Sequence, residues 1–206
     1  MSGVVILHLD ESCLGNGREG ANPGGGGGLI EARSGNGRIL RRDFYISSPA
    51  TTNNRMALSG AIAALQLLAR KGTRLRVLVV SDSQYLVKGM REWVPGWAAR
   101  GWRRKEGPIE NLELWKTLLE SSRLHDVQWT WVRGHKGHAK NEYANDLAVL
   151  AAREQRTSDG IVESGFEEWL AGKTAKGMFP GYDRDAEFVA LERRLLAGEA
   201  LPLVLD

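Results

Sequence analysis

The stretch Val4-Val5-Ile6-Leu7-His8-Leu9-Asp10 decides how the rest of the chain is arranged. It is a short apolar run, rich in β-branched residues, that ends on a carboxylate, which is typical of a buried strand. We take it as the central strand of a sheet. Ligands of open α/β sheets bind beyond the carboxyl ends of the strands, so Asp10 lies where chemistry would occur. An Asp that only opens a turn fits this stretch equally well.

Length and composition limit the class of protein. A chain of 206 residues fits one domain of ordinary size with a remainder. Its 42% hydrophobic and 26% charged residues are typical of a soluble globular protein, and no apolar run reaches transmembrane length. The first residues lack the basic and apolar regions of a secretory signal. The single cysteine, Cys13, cannot pair within the chain, which favours a reducing, cytoplasmic location.

Charge is distributed unevenly along the chain. The net charge is +3, but residues 151–206 hold seven Lys and Arg against eleven Asp and Glu, a net charge of −4. The first 150 residues therefore carry a net charge of +7. A basic body with an acidic end favours a polyanionic partner for the body.

The passage at residues 15–28 is rich in glycine and ends in Gly24-Gly25-Gly26-Gly27-Gly28. It lacks the Lys-Ser/Thr of a Walker loop, and no helix pattern follows it. We expect a flexible connection, and a contact between its backbone N–H groups and a phosphate remains open. Strand patterns at residues 29–32 and 38–46, on either side of a turn at 34–37, predict a hairpin.

A second acidic residue is predicted to lie beside the first. Thr52 and Asn53 are good N-caps for an apolar pattern that predicts a helix over residues 52–70. A buried strand over residues 75–80 follows and leads to Asp82. A strand, helix and strand in this order predict a crossover with the two strands parallel. Asp10 and Asp82 would then meet at one edge of the sheet.

Residues 88–105 interleave basic residues with Trp93, Trp97 and Trp102. Trp93 and Trp97 are one helical turn apart, which fits a packed aromatic face opposite a solvated basic face. Alternating cations and aromatic rings also make a nucleic-acid surface, where cations meet phosphates and rings stack on sugars or bases. We favour the second interpretation because of the two neighbouring carboxylates.

The remaining chain continues the alternation of helices and strands. Patterns predict a helix over residues 108–124, a strand over 127–132 and a helix over 141–156, with a loop at 133–138. Beyond residue 157 we expect two amphipathic helices, one around Phe166 and one over residues 186–197. The favoured interpretation is that they pack on the body, and the alternative is a partner-binding appendage.

Taken together, these motifs resemble those of bacterial-type, type 1 ribonuclease H across residues 4–152. The resemblance rests on Asp10-Glu11-Ser12-Cys13, Thr51-Thr52-Asn53-Asn54-Arg55-Met56, Ser81-Asp82-Ser83-Gln84-Tyr85, the basic tryptophan segment, and Gly134-His135-Lys136-Gly137-His138 followed by Asn141-Glu142. It implies an α/β fold, a ribonuclease H-like mixed five-stranded sheet flanked by helices, as domain 1–152. Residues 153–206 would form a C-terminal helical extension.

The resemblance also implies a function and the residues that perform it. A monomeric enzyme would cleave the RNA strand of an RNA–DNA hybrid with two Mg²⁺ ions, for which Mn²⁺ can substitute. Their ligands would be Asp10, Asp82 and Asn145. His135 would move a proton or assist product release. The residues expected to contact the hybrid are Ser12, Cys13, Asn22, Thr52, Asn53, Asn54, Gln84, Trp93, Trp97 and Trp102.

Two positions depart from the family's pattern. The family's catalytic Glu belongs just after Arg55-Met56, where this chain has Ala57, and the fourth carboxylate belongs where this chain has Asn145. No Asp or Glu lies between Asp43 and Asp82, so a shift along the helix cannot restore the missing acid. An amide oxygen can still coordinate Mg²⁺, but without charge. We therefore expect a chain that binds hybrid and cleaves it very slowly or not at all.

Two other function classes stay open at this point. A non-catalytic hybrid-binding protein would keep the basic tryptophan segment and tolerate the broken set of acids. A nucleotide-binding protein that uses the glycines of residues 15–28 is the weaker rival, because no dinucleotide fingerprint opens a helix there. A protein partner for the C-terminal extension is also possible on the sequence alone.

Overall fold

The computed structural model describes residues 3–15, 22–134 and 137–205. Within them, a mixed sheet of six strands has the order β5-β4-β1-β2-β3-β6 and is covered by helices on both faces. The predicted α/β class is confirmed, and the sixth, two-residue strand comes from the C-terminal extension. The strands are β1 Val4–Cys13, β2 Gly24–Arg33, β3 Ile39–Ser48, β4 Arg76–Ser81, β5 Asp126–Trp131 and β6 Val162–Glu163.

The predicted helices are present with small shifts at their ends, and two short helices over residues 84–88 and 94–99 were not predicted. Thr52 caps the first helix, since its side-chain oxygen accepts a hydrogen bond from the backbone N–H of Arg55 at 3.3 Å. The fourth helix begins later than predicted, because Asn111 before it has a left-handed backbone with φ of 55°. The helices are α1 Asn53–Ala69, α2 Gln84–Lys88, α3 Val94–Ala99, α4 Leu112–Arg123, α5 Ala139–Glu154, α6 Phe166–Ala175 and α7 Ala186–Leu196, with a π-helical turn, Gly89–Trp93, between α2 and α3.

The central strand β1 lies between β4 and β2. It pairs with β4 in parallel, as predicted, and the pairing ends at Leu9 opposite Ser81. On its other side β1 pairs with β2 in antiparallel fashion through Cys13, so Asp10 lies within the strand rather than at its end. Asp10 and Asp82 therefore each follow the last residue of the parallel ladder.

The prediction of a flexible glycine connection is wrong for residues 24–28. These glycines form the first half of β2 and are buried. Helix α5 crosses them so closely that a Cβ on Gly25 would lie 2.1 Å from the backbone oxygen of Ala148, and one on Gly27 would lie 2.4 Å from that of Ala144. The glycines thus allow the backbone of α5 to pack directly against the strand. Their N–H groups belong to a sheet and not to a phosphate-binding loop. Residues 16–21 lie outside the described residues.

Each face of the sheet has its own apolar layer. On one face, Leu7 and Val79 of the sheet pack with Leu58 of α1 and Trp115 of α4. On the other face, Ile6 and Leu78 pack with the α7 residues Phe188, Leu191 and Leu195. Helix α5 lies above β1 and β2, and α7 contacts β1. The two predicted helices of the extension are present, and α7 covers part of the central sheet.

The extension also runs along the outer strand β3. Val162 and Glu163 pair with Asp43 and Arg42 of β3. Just before them, the backbone N–H of Ser158 donates to the carbonyl oxygen of Tyr45 at 2.9 Å. Among the residues that the structure describes, no helix combines the length and the apolar character needed to span a bilayer.

Candidate active site

Three carboxylates meet beyond the end of the parallel ladder. Asp10 and Glu11 come from β1, and Asp82 follows β4. One ligand oxygen from each of the three lies within 4.8 Å of those of the other two. The structure thus brings Asp10 and Asp82 together, as the topology predicts, and adds Glu11, which the sequence analysis did not count as an acid of the site.

Hydrogen bonds fix the orientation of Asp10. Its Oδ1 accepts from the backbone N–H of Glu11 at 2.7 Å, and its Oδ2 accepts from the side-chain amide of Asn141 on α5 at 3.1 Å. Asp10 is only 7% exposed, so both bonds act in a largely water-free environment. Asn141 therefore presents the Asp10 carboxylate to the space shared with Glu11 and Asp82.

Asp82 is held by groups around its backbone and its carboxylate. The indole N–H of Trp131 donates to the Asp82 carbonyl oxygen at 2.8 Å. A Cβ on Gly134 would lie 2.1 Å from Asp82 Oδ2, so the backbone of the loop after β5 packs directly against this carboxylate. A side chain at position 134 would displace the acid.

The electrostatics of the cluster favour a bound cation. Burial, together with the charges of Asp82 and Glu11, raises the pKa of Asp10 above its ordinary value. Burial and the charge of Asp82 raise the pKa of Glu11 to about 8. Clustered carboxylate oxygens that repel one another suit a hard divalent cation, which prefers carboxylate ligands and offsets their repulsion. The donor set therefore fits Mg²⁺ or Mn²⁺.

The two positions that depart from the family's pattern lie in different surroundings. Ala57 on α1 is 4% exposed and packs in the apolar core, where it offers no ligand. Asn145 is half-buried on α5, one helical turn after Asn141 and so on the same side of the helix. His135 lies outside the described residues.

Sequence reasoning missed Glu11 and Asn141 as members of the site. Successive residues of a regular strand point to opposite faces, so strand alternation does not place Glu11 in the site of Asp10. The available signal was the pair of adjacent acids in Asp10-Glu11 at the end of a buried strand. Asn141 stood in the quoted motif Asn141-Glu142, but nothing in its spacing indicated that it would reach Asp10.

Several residues expected to bind the hybrid gather near the start of α1. The Cys13 thiol lies 3.4 Å from the carbonyl oxygen of Thr51, and the Thr51 N–H donates to the carbonyl oxygen of Asn22 at 2.9 Å. Burial raises the pKa of the Cys13 thiol, so the neutral form is favoured. Ser12 precedes this junction on β1, and Thr52, Asn53 and Asn54 follow it.

The side chains at the start of α1 and α2 differ in how far they reach solvent. Asn54 and Gln84 are exposed. Asn53 is half-buried, and its Oδ1 is buried without a hydrogen-bond partner within the described part of the chain. An acceptor in this position is available to a donor from a bound molecule.

The tryptophan segment forms a packed aromatic group. The ring centroids of Trp93 and Trp97 are 5.9 Å apart, and Trp97 lies 6.0 Å from the buried Trp115. The hydroxyl of Tyr85 accepts from the indole N–H of Trp115 at 3.1 Å. Trp102 is half-buried and has a left-handed backbone with φ of 61°. The predicted packed face is present, and contact with nucleic acid stays a prediction.

Comparisons with known proteins agree on the family. The family model described as RNase H matches residues 2–153. A ribonuclease H of Pelobacter propionicus is 46% identical over 153 residues, which cover 74% of this chain and 86% of the relative. One of Aromatoleum aromaticum is 42% identical over 159 residues, which cover 75% of this chain and 96% of the relative.

Solved structures extend the similarity to the whole chain. LC9-RNase H1, described as a type 1 RNase H with the type 2 active-site motif, covers 100% of this chain at 49% identity with a TM-score of 0.81, and 97% of its own length is matched. LC11-RNase H1, solved with an RNA/DNA hybrid, is 20% identical and shares the fold with a TM-score of 0.51. The match covers 73% of this chain and 98% of the LC11-RNase H1 chain. The chain belongs to the ribonuclease H family.

Proposed function

We propose that this chain is an active endoribonuclease that cleaves the RNA strand of RNA–DNA hybrids, with Glu11 in the role that the family gives to a Glu at the position of Ala57. The observation that carries the proposal is the approach of Asp10, Glu11 and Asp82 to within 4.8 Å of one another. This differs from the expectation of a disabled site, which considered acids on α1 and not the acid beside Asp10.

The third carboxylate changes what the site can hold. Asp10, Glu11 and Asp82 would hold the divalent cations, and the amide oxygen of Asn145 could complete the set without adding charge. When bound, two Mg²⁺ ions would activate the attacking water and stabilise the leaving 3′ oxygen of an in-line displacement. Burial and the charge of Asp82 raise the pKa of Glu11, so full ionisation of the three carboxylates is costly without a cation. Cation binding relieves that cost.

The residues around the acids restrict how they move. Asn141 holds one oxygen of Asp10, and the backbone at Gly134 holds Asp82 in place. Positioned ligands lose little conformational freedom when a cation and a phosphate bind, so their interactions favour the transition state. Trp131 adds a further restraint through its bond to the Asp82 carbonyl oxygen.

The substrate class follows from charge and from the polar groups around α1. The first 150 residues carry a net charge of +7, which suits a nucleic-acid backbone. The exposed Asn54 and Gln84 suit contacts to backbones and minor-groove edges, as does the acceptor of Asn53, which has no hydrogen-bond partner among the described residues. Contacts to 2′-hydroxyls across the wide minor groove would select the RNA strand. LC11-RNase H1, which shares the fold, was solved with an RNA/DNA hybrid.

A cleavage assay with strand-labelled substrates tests the proposal. We expect the unmodified chain to cleave only the RNA strand of a hybrid in Mg²⁺ or Mn²⁺, and to leave duplex DNA intact. Glu11→Gln should lower kcat by about a hundredfold or more, since it removes a charged ligand. The matched control is Glu120→Gln, which changes an exposed carboxylate on α4 and should leave the rate unchanged.

Measuring hybrid binding beside cleavage separates this function from that of a non-catalytic hybrid-binding protein. Tight, salt-sensitive hybrid binding without cleavage in either metal would overturn the proposal and favour a non-catalytic hybrid-binding protein. Equal rates for the unmodified chain and Glu11→Gln would remove Glu11 from the chemistry. A monomeric, cytoplasmic enzyme, as expected from the sequence, stays a prediction.

A further inference from the structure

A buried lysine links three elements on the face of the sheet covered by α5 and α7. Lys140, in the first turn of α5, has a side chain that is 0% exposed. Its Nζ lies 2.8 Å from Oε2 of Glu31 on β2 and 3.2 Å from Oε2 of Glu187 on α7. The second carboxylate comes from the C-terminal extension, beyond the part of the chain matched by the family model.

Glu31 is shared by more than one cation. Its Oε1 accepts from Nε of Arg41 at 2.9 Å, and its Oε2 lies 3.2 Å from Nε2 of His8. Burial alone would raise the pKa of Glu31, but the interactions with His8 and Lys140 outweigh it and lower the pKa to about 2. Arg41 also pairs with Asp185, the residue just before α7. The extension thus contributes an acid to each of the two cations.

Lys140 needs both of its carboxylates. A cation in the first turn of a helix opposes the helix dipole, and a buried cation is costly unless it is well paired. Without Glu187, Lys140 would depend on Glu31 alone, whose charge already serves Arg41 and His8. The first turn of α5 would then move toward an arrangement that lets water reach the ammonium group.

A shift of this turn would change the orientation of the Asp10 carboxylate. Asn141 directly follows Lys140 and donates to Asp10 Oδ2 at 3.1 Å. Further along, α5 lies against the backbone of Gly25 and Gly27, where the strand has no side chains to hold the helix in register. Ionic contacts at Lys140 are therefore well placed to set the position of the first turn.

We propose that Glu187 is a positioning residue for the catalytic site: through Lys140 it holds the first turn of α5 where Asn141 orients Asp10. The inference rests on the proposed function for its meaning in catalysis. It makes the C-terminal extension part of the machinery that prepares the site for metal, in addition to its packing on the sheet.

The test compares Glu187→Gln with a matched control on the same helix. Glu192 also lies on α7 and also pairs with β2, through Nε of Arg33 at 2.9 Å, but Arg33 and Glu192 do not involve α5. Calorimetric titration of the full chain with Mn²⁺ gives a readout that needs no turnover. We expect Glu187→Gln to weaken Mn²⁺ binding and lower kcat, each by about tenfold, with KM within about twofold. Glu192→Gln should leave all three within about twofold of the unmodified chain.

Combining Glu187→Gln with Asn141→Ala tests whether Glu187 acts through Asn141. If it does, Glu187→Gln should add no further loss of Mn²⁺ affinity in a chain that already carries Asn141→Ala. Equal effects of Glu187→Gln and Glu192→Gln, or an undiminished effect in the Asn141→Ala background, would overturn the proposal. Should Glu187→Gln not fold, Glu187→Asp against Glu192→Asp gives the same comparison with charge retained, and equal Mn²⁺ affinities in that pair would count against it.

The two proposals fail in different ways. Absence of cleavage by the unmodified chain would remove the proposed function, while the Mn²⁺ titrations would still decide whether Glu187 positions the acids. Cleavage by the unmodified chain with indistinguishable Mn²⁺ affinities for the Glu187 and Glu192 variants would leave the function standing and remove the positioning role.

Discussion

Glu11 of β1 lies beside Asp82, which follows β4, with carboxylate oxygens within 4.8 Å of each other. Glu11 directly follows Asp10 in the chain and thus adds a third carboxylate to the cluster. This approach makes ionisation of Glu11 unfavourable, because burial and the charge of Asp82 raise its pKa to about 8.

Restoring an acid at position 57 should not raise activity. Ala57→Glu would place a carboxylate among apolar residues where the native side chain is 4% exposed. We expect no gain in cleavage rate and a loss of about 2 kcal/mol or more in the free energy of unfolding, since a buried charge lacks a partner there. Rate measurements and urea unfolding check both parts. A rise in kcat of tenfold or more would show that the site does lack an acid.

The stability of the metal-free protein should depend on pH through Glu11. Its pKa is 4.5 in a model compound and about 8 in the folded chain, so the folded state binds the proton more tightly. The resulting stabilisation is complete below pH 4.5 and is lost as the pH rises to about 8. Glu11→Gln removes this loss, so in EDTA the variant should exceed the unmodified chain in Tm at pH 9 but not at pH 4.

Addition of Mg²⁺ provides the control for that experiment. The cation should raise the Tm of the unmodified chain at pH 9 more than that of Glu11→Gln, because the unmodified chain offers it one more charged ligand. If the Tm of the unmodified chain and that of Glu11→Gln changed in parallel between pH 4 and pH 9, the raised pKa of Glu11 would be contradicted.

Glu31→Gln should destabilise the protein strongly near neutral pH. The variant leaves Lys140 and Arg41 buried with less negative charge, which costs about 3 to 5 kcal/mol. Because the pKa of Glu31 is about 2 when folded and 4.5 in a model compound, its stabilisation is present above pH 4.5 and is lost as the pH falls to about 2. The difference between variant and unmodified chain should therefore shrink in acid.

An exposed ion pair offers the control for Glu31. Glu163 pairs with Arg42 at 2.8 Å, but its side chain is 84% exposed. Glu163→Gln should change the free energy of unfolding by less than about 1 kcal/mol. Chemical unfolding measures both variants. Equal losses in the free energy of unfolding for Glu31→Gln and Glu163→Gln would show that the buried ion pairs of Glu31 stabilise the protein no more than an exposed pair does.

The close approach of α5 to β2 predicts a selective effect of added methyl groups. Gly27→Ala would place a Cβ 2.4 Å from the Ala144 oxygen, whereas a Cβ on Gly35 in the β2–β3 turn meets nothing within 4 Å. Gly27→Ala should cost about 2 kcal/mol or more, since α5 must shift, and Gly35→Ala should be close to neutral. Thermal unfolding of both variants checks this, and a neutral Gly27→Ala would contradict the described packing.

The meeting of Asp10 and Asp82 could be predicted because it follows from local patterns. Two buried strands separated by a capped amphipathic helix have few possible arrangements, and a parallel pairing places the residues after each strand side by side. The same reasoning predicted α7, since Phe188, Leu191 and Leu195 recur at helical spacing. The spacing does not predict which surface the apolar face of α7 covers, because this depends on the area of the sheet that α5 leaves open.

The glycines of β2 and the position of Glu11 could not be predicted in the same way. Glycine has low strand propensity, and only the approach of α5 over Gly25 and Gly27 makes it the favoured residue there. Glu11 shares a site with Asp10 where the parallel partner β4 has already ended, so strand alternation was a poor guide. In both cases tertiary contacts outweigh the local preference.

The pairing of Val162 and Glu163 with β3 has a consequence for handling shortened forms of the protein. An outer strand with unpaired N–H and C=O groups is a template onto which another chain can add a strand. Here the extension occupies part of the ten-residue strand β3, with Ser158 bonded to Tyr45. Fragments that stop near residue 152 would uncover this template and, with it, the apolar surface under α7, so they are expected to self-associate and precipitate.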